Sequence, residues 1–201
     1  RPCALVGTGG HAKVVVDVLR KLERDITFAT TNDPASADAD FLGIPVRGND
    51  DYLNGQDLDG FDLAIGVGAS QSGDARRQIS ERFGKMGFRV ATLVHPSAIV
   101  AEDVLLGEGA QIMAGAIVQP GSGIGRGAIV NTGAKVDHDC EIGDFAHLAP
   151  GMTLCGGVRV GANSLVGAGA TLIPGISVGD DCRIAAGTVI ARNVPDGERV
   201  K

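Results

Sequence analysis

Hydrophobic residues in the first ninety positions form short runs that alternate with longer amphipathic stretches. The runs CALVG (3–7), ITFAT (26–30) and FDLAIGVG (61–68) predict strands, because each is short and apolar. Between and after them, HAKVVVDVLRKLERD (11–25) and SGDARRQISERFGKMG (72–87) carry apolar residues at helical spacing. Strands that alternate with helices predict a small parallel sheet of βαβ type.

From Leu93 onward the aliphatic residues follow a period of six. The chain from Leu93 to Val194 divides into seventeen hexads without an insertion, and the second residue of every hexad is Val, Ile or Leu. The sixth residue is nearly always Ala, Ser, Cys, Thr or Val. Such a repeat is typical of a parallel β-helix, in which each hexad forms one short strand and a corner.

Three hexads close one triangular coil, so residues eighteen apart lie one above another on the same side of a prism. Seventeen hexads make between five and six coils, a prism roughly 27 Å tall at about 4.8 Å per coil. The period predicts the prism but leaves its hand open. We therefore expect an α/β domain over residues 1–92 and a β-helix over residues 93–201.

Composition and charge narrow the function classes. The net charge is −6, and no basic run with interleaved aromatic residues occurs, so a nucleic-acid surface is not expected. No stretch approaches the roughly 20 apolar residues of a membrane span, and no signal peptide is visible, although a removed leader stays open. The four cysteines lack C-x-x-C spacing, which favours reduced thiols in a cytoplasmic protein.

The loop GTGGHAK (7–13) follows the first predicted strand and opens the first predicted helix. Its glycine spacing fits the fingerprint that brings backbone N–H groups and a helix N-terminus against a phosphate. Asp33, about twenty residues further on, could accept a ribose or sugar hydroxyl. A purely steric turn and an NAD site are the alternatives, but the α/β part is short for a full dinucleotide fold. His11 could reach the ligand or simply begin the helix.

The stretch KVDHDCEIGDFAH (135–147) concentrates charge in an otherwise apolar repeat. It holds two of the four histidines and four acidic residues. His138 lies eighteen residues before Gly156, so the coil geometry predicts a glycine beside the imidazole, with room for a thioester and a backbone N–H for its carbonyl. His147 lies half a coil from His138, so a shared site would need two subunits. A solvated turn residue is the alternative for each histidine.

The G-x-G-G-H loop, the uninterrupted hexads and the segment VDHDCEIGDFAHLAPG resemble the sialic-acid O-acetyltransferase type of hexapeptide acyltransferase. The resemblance is closer to the nucleotide-sugar N-acetyltransferases of the bacillosamine and perosamine pathways. It implies a left-handed β-helix, a cytoplasmic homotrimer, active sites between subunits, acetyl-CoA as cosubstrate and no metal. It also implies a nucleotide-linked amino sugar, such as GDP-perosamine, as acceptor, for surface polysaccharide or glycan synthesis.

The same resemblance implies individual roles. His138 would be the general base and Asp139 the acid that raises its basicity. The residues implied for the acetyl-CoA groove are His147, Gly156, Ala168 and Ala186. Those implied for the nucleotide-sugar are Gly9, Gly10, His11, Asp33 and Gly66. Two departures are visible, because Asp139 is often Glu in relatives and the chain ends at PDGERVK without their usual tail.

Other functions stay open at this point. One is a sugar O-acetyltransferase of the same family, and another is a trimeric scaffold that only senses a nucleotide. A zinc lyase of the γ-carbonic-anhydrase kind shares the prism but needs three converging histidines. Cys155 could in principle accept an acyl group, although no base is placed beside it. His95 is expected at the junction between the two domains.

Overall fold

The computed structural model describes residues 1–33, 40–68 and 74–201. The N-terminal part is a three-stranded parallel sheet in the order β2-β1-β5, which confirms the predicted βαβ arrangement. Its elements are β1 (Cys3–Val6), α1 (Gly10–Lys21), β2 (Ile26–Thr30), β3 (Asp40–Phe41), β4 (Ile44–Pro45), a 3₁₀ helix (Asp50–Leu53), β5 (Asp62–Ile65) and α2 (Asp74–Lys85).

Both helices are shorter than predicted. Helix α1 ends at Lys21 and not at residue 25, because Glu23 adopts a left-handed conformation with φ 53°. The N–H of Arg24 then donates to the Leu19 carbonyl at 2.9 Å, and Glu23 donates to Arg20 at 3.1 Å. This is a Schellman cap built without its usual glycine, so the sequence gives no stop signal. For α2, the predicted residues 72 and 73 lie outside the described residues.

The second part is a triangular prism of two-residue strands, wound as a left-handed parallel β-helix. Its strands form one sheet in the order β22-β19-β16-β13-β10-β7, one in the order β20-β17-β14-β11-β8, and one in the order β23-β21-β18-β15-β12-β9-β6. We call these the first, second and third faces. The strands are β6 (Leu93–Val94), β7 (Ile99–Val100), β8 (Leu105–Leu106), β9 (Gln111–Ile112), β10 (Ile117–Val118), β11 (Gly123–Ile124), β12 (Ile129–Val130), β13 (Lys135–Val136), β14 (Glu141–Ile142), β15 (His147–Leu148), β16 (Thr153–Leu154), β17 (Arg159–Val160), β18 (Leu165–Val166), β19 (Thr171–Leu172), β20 (Ser177–Val178), β21 (Arg183–Ile184), β22 (Val189–Ile190) and β23 (Arg199–Val200).

Each position of the hexad has the same structural role throughout the prism. The second residue of each points into the prism, and these aliphatic side chains stack into a continuous core with the small sixth residues. Strands pair eighteen residues apart, as in Val118↔Val136 and Val136↔Leu154. In every hexad from 105 to 188 the fifth residue is left-handed, and it is usually glycine because glycine carries no penalty there.

The repeat continues past the last regular hexad. Strand β23 pairs with β21 through Arg183↔Arg199, a step of sixteen residues and not eighteen. The prism therefore continues beyond the seventeen hexads that the strict period defines, by one shortened connection. No helix in the described part of the chain combines the length and apolar character needed to cross a membrane.

The α/β part packs against the third face of the prism. Leu93 and Met113 are fully buried in the same apolar cluster as α1. His95 is 8% exposed and its Nε2 lies 3.7 Å from Asp17 Oδ2 of α1, so its predicted place at the junction is confirmed. This docking places the carboxyl end of β5 and the start of α1 beside the prism, where Gln111 of β9 contacts the Ile65 carbonyl and His11.

Candidate active site

His138 and Asp139 form a hydrogen-bonded pair on the corner that follows β13. The Nδ1 of His138 lies 2.8 Å from Asp139 Oδ2, and the backbone N–H of His138 donates to Asp137 Oδ1 at 2.8 Å. Because the carboxylate accepts from Nδ1, the neutral ring carries its lone pair on Nε2. The His138 side chain is 61% exposed, so a ligand can reach that nitrogen.

Two glycines make room for this pair. A Cβ built at Gly156 would lie 2.5 Å from His138 Nε2, which places the ring directly against the glycine one coil further on, as the sequence predicted. A Cβ at Gly121 would lie 2.5 Å from Asp139 Oδ1. The coil below therefore accommodates the carboxylate and the coil above accommodates the imidazole.

The surroundings make His138 a stronger base than free imidazole. The hydrogen bond that His138 Nδ1–H donates to Asp139 raises the pKa of His138, and the charge of Asp137 adds to the increase. Asp139 is itself held at φ 57°, one of four non-glycine residues at the left-handed corner position. Aspartate is one of the few non-glycine residues that adopt this conformation as single residues.

A groove on the first face begins beside the pair. It is a cavity of about 200 Å³ whose lining includes Ile117, Lys135, Thr153 and Cys155. The N–H of Gly156 makes no hydrogen bond within the described part of the chain, so it is a free donor next to the imidazole. A base, a free donor and a groove with one cation thus lie within two adjacent coils.

The residues predicted for the nucleotide-sugar gather at the carboxyl edge of the N-terminal sheet. Thr8, in the glycine loop, donates to Thr31 Oγ1 at 2.8 Å, and that oxygen accepts from the Asp33 N–H at 3.2 Å. The loops after β1 and β2 are therefore joined. The predicted residues found at this edge are Gly9, Gly10, His11, Asp33 and Gly66. Parallel sheets bind ligands at this edge.

His147 lies at the junction between the domains, near enough to His11 of the same chain for the two rings to interact electrostatically, and not beside His138. It stands on the third face between Ile129 and Leu165. Its Nε2 lies 3.0 Å from Asn131 Nδ2, and its buried Nδ1 has no partner in the described part of the chain. The sequence placed His147 in the acetyl-CoA groove, and that role stays a prediction.

A buried arginine connects the two domains at the same place. Arg76 of α2 donates from Nη1 to the carbonyls of Ile65 and Val67 at 3.1 Å, from Nε to Gly127 at 2.8 Å, and from Nη2 to Gly109 at 3.2 Å. Among the described residues, only carbonyl oxygens accept hydrogen bonds from this guanidinium, and burial lowers its pKa to about 9. Sequence reasoning missed Arg76, and also Gln111 and Asn131, because their contacts depend on how the domains dock.

The remaining predicted residues lie on another edge of the prism. Ala168 and Ala186 are exposed and stacked on the corner between the third and first faces, with the Gly187 N–H donating to the Ala168 carbonyl at 2.8 Å. The corner of His138 lies on the other side of the first face. One chain therefore does not bring these alanines to its own His138.

Metal ligation receives no support from the side-chain positions. Within the described ranges, no group of three or more His, Cys, Asp or Glu side chains is arranged to hold a metal ion. The three-histidine centre that a zinc lyase requires is not assembled there, because His138 stands on its own corner while His11 and His147 lie at the domain junction.

The two junction histidines predict a loss of stability in acid. Burial lowers the pKa of His11 and of His147 to about 4, whereas the unfolded chain titrates near 6.5. Above pH 6.5 neither histidine makes the free energy of unfolding depend on pH. Below pH 6.5 the unfolded state binds protons at these histidines and the folded state does not. The free energy of unfolding therefore falls between pH 6.5 and 4 by an amount on the order of a few kcal/mol. Melting temperatures from pH 7.5 to 4.5 measure this.

A pair of variants tests the assignment. His147→Asn should make the acid-induced fall in melting temperature smaller. His138→Asn should not make this fall smaller. The raised pKa of His138 stabilises the fold in acid, and that contribution is lost as the pH rises. An equal slope in wild type and His147→Asn would contradict the assignment.

Comparison with known proteins identifies both parts of the chain. Residues 3–83 match the family model described as the PglD N-terminal domain, and residues 157–192 match the hexapeptide repeat of succinyl-transferase. A curated relative is UDP-N-acetylbacillosamine N-acetyltransferase of Bacillus subtilis, 36% identical over 120 residues. That match covers 55% of this chain and spans half the length of the relative.

Solved structures match over nearly the whole chain. PerB from Caulobacter crescentus, in complex with CoA and GDP-perosamine, is 38% identical with a TM-score of 0.91, covering 99% of this chain and 93% of that chain. The acetyltransferase domain of PglB from Neisseria gonorrhoeae, in complex with acetyl coenzyme A, is 37% identical with a TM-score of 0.91, covering 99% and 95%. The chain therefore belongs to the family of nucleotide-sugar N-acetyltransferases that join a PglD-type N-terminal domain to a hexapeptide-repeat β-helix.

Proposed function

We propose that this protein transfers an acetyl group from acetyl-CoA to the 4-amino group of a nucleotide-linked 4-amino-4,6-dideoxyhexose, for surface polysaccharide or glycan synthesis. The observation that carries the proposal is the His138–Asp139 pair, with Nε2 held against Gly156 at the mouth of an open groove. GDP-perosamine is the first candidate substrate, since a relative 38% identical binds it together with CoA. A UDP-linked amino sugar is the other nucleotide class to test.

The residues divide the chemistry between them. Acetyl-CoA supplies the activated acetyl group, and the groove beside Lys135 and Thr153 is where we place it. His138 Nε2 takes the proton that the sugar amine loses when its nitrogen bonds to the acetyl carbon, and returns it to the departing thiolate. Asp139 holds Nδ1–H and stabilises the imidazolium. The free N–H of Gly156 donates to the oxygen on which negative charge develops.

Replacing the base should reduce turnover with little change in cofactor affinity. His138→Asn removes the proton acceptor, so kcat should fall by roughly 10²–10⁴-fold. Thiol release from acetyl-CoA, measured with GDP-perosamine and a UDP-linked 4-amino sugar, gives kcat, and calorimetry gives the acetyl-CoA affinity. A variant that kept more than about a third of wild-type turnover at saturation would rule out His138 as the base.

Two further variants test separately the pKa of His138 and the position of its ring. Asp139→Asn keeps a side chain that tolerates the left-handed backbone. It should lower the pKa of His138, so the rising limb of the pH–rate profile should move to more acidic pH. The turnover at the plateau should fall less than in His138→Asn. Gly156→Ala should displace the ring and reduce turnover. Gly123→Ala is its matched control, because a Cβ there meets nothing within 4 Å.

The glycine loop should recognise the nucleotide-sugar. A Cβ at Gly10 meets nothing within 4 Å, so Gly10→Val adds bulk to open space without a clash in the fold. We expect it to raise KM for the nucleotide-sugar far more than KM for acetyl-CoA. Gly84→Val, in an equally open position on α2, is the control. Equal effects on both substrates, or tight NAD binding by calorimetry, would contradict this assignment.

We also propose a homotrimer that packs through the first face. Its two end strands carry the exposed Ile99 and Val189, 64% and 67% accessible, so a monomer would leave an aliphatic side chain in water at each end of this face. Such packing would bring His138 of one chain toward Ala168 and Ala186 of the next. Sedimentation equilibrium should show a species of three 20.4 kDa chains.

A pair of charged substitutions locates the interface. Val189→Glu should dissociate the trimer and abolish turnover, because it buries a charge between subunits. Leu105→Glu, at a residue 76% exposed on the second face, should leave the trimer intact. A wild-type protein that sediments as a monomer at micromolar concentration would refute the assembly.

A further inference from the structure

The side chain of Gln111 connects the prism to the start of α1. It is fully buried, on strand β9 of the third face. Its Nε2 donates to the Ile65 carbonyl at 2.9 Å, and its Oε1 lies 2.8 Å from His11 Nε2. A buried amide with both ends engaged can take only one orientation, because the Ile65 carbonyl can only accept. The oxygen of Gln111 therefore faces His11.

This contact determines which His11 nitrogen carries the proton. An amide oxygen accepts and cannot donate, so His11 Nε2 must be an N–H. Burial lowers the pKa of His11 to about 4, so near neutral pH the ring is uncharged. The other nitrogen, Nδ1, is then a lone-pair acceptor. A Cβ at Gly68 would lie 3.7 Å from Nδ1 and 3.1 Å from His11 Cβ, so the glycine leaves space beside that nitrogen.

His147 is held in the opposite tautomer by the same reasoning. The Asn131 Oδ1 accepts from the Thr132 N–H at 2.8 Å, so its Nδ2 is the atom that donates to His147 Nε2 at 3.0 Å. The neutral His147 then carries its proton on Nδ1. The side-chain amides of Gln111 and Asn131 thus leave His11 Nδ1 as an acceptor and His147 Nδ1–H as a donor.

The charges around His11 favour the neutral ring. Arg76 of α2 acts on His11 and on His147 of β15, and its positive charge lowers the pKa of both. A glutamate at position 111 could accept from His11 but could not donate to Ile65, and its charge would favour the imidazolium. The imidazolium has N–H groups on both nitrogens and no acceptor. An amide is thus the group that keeps the lone pair on Nδ1.

We propose that Gln111 is a positioning residue that fixes the Nε2–H tautomer of His11, so that Nδ1 accepts a hydrogen bond from an N–H or O–H group of the nucleotide-linked amino sugar. The inference rests on the proposed function for the identity of the ligand, and on the contacts of Gln111 for the tautomer. It assigns to the prism a part in recognising the acceptor substrate, through a side chain that does not touch it.

The experiment has one arm with the substrate and one without. In Gln111→Glu the carboxylate should keep His11 protonated near neutral pH, so KM for GDP-perosamine should rise roughly 3- to 10-fold at pH 6.5 and return toward the wild-type value as the pH rises to 9. The wild-type KM should stay level over that range. Gln78→Glu makes the same chemical change on the exposed surface of α2 and should alter neither value.

The second arm measures the ring nitrogens of His11 by ¹⁵N NMR in the free protein. Wild type should show a neutral Nε2–H tautomer at pH 6.5, and Gln111→Glu should show the imidazolium. A wild-type Nδ1–H tautomer, or a KM defect in Gln111→Glu that is the same at every pH, would overturn the proposal. Wild-type protein that acetylates no amino sugar would refute the proposed function, while the NMR arm would still decide the tautomer.

Discussion

The eighteen-residue step between coils is the constraint on which the rest of the molecule depends. From β6 to β22, each strand of the prism pairs with the strand eighteen residues away, so the position of a side chain in the sequence determines its neighbour on the next coil. That step sets His138 against Gly156 and Asp139 above Gly121. It also fixes His147 between Ile129 and Leu165. The geometry of the candidate site is thereby built into the repeating backbone of the prism.

Four corners of the prism carry a non-glycine residue at a position whose left-handed conformation favours glycine. The fifth position of each hexad is left-handed, and glycine satisfies it at no steric cost. Asp139, Phe145, Asn163 and Asp181 occupy it instead. Asp139 accepts a hydrogen bond from His138 Nδ1. The other three stack on the corner that lies beside α2, where Asn163 Nδ2 is 3.4 Å from Asp74 Oδ1. The strained positions therefore gather at the candidate site and at the domain junction.

The period of six made the prism and its local contacts predictable. Because the register follows from counting, the meeting of His138 with Gly156 could be stated from the sequence and is confirmed by the structure. The end of α1 could not be predicted, since Glu23 forms a cap that usually carries glycine. Nor could the shortened step to β23, because it breaks the period. Arg76 and Gln111 were missed for a different reason, since their partners belong to the other domain and no periodic rule relates the two.

Three histidines of one chain show how placement decides the chemistry of a single side chain. His138 stands on an exposed corner beside two aspartates, and its pKa is raised, which suits a group that must take a proton. His11 and His147 are pressed between the domains near the charge of Arg76, and their pKa values are lowered to about 4. They suit fixed hydrogen bonding and not proton transfer. On the proposed function, the exposed corner of the prism supplies the proton acceptor, and the domain junction supplies neutral groups that recognise the substrate at the edge of the sheet.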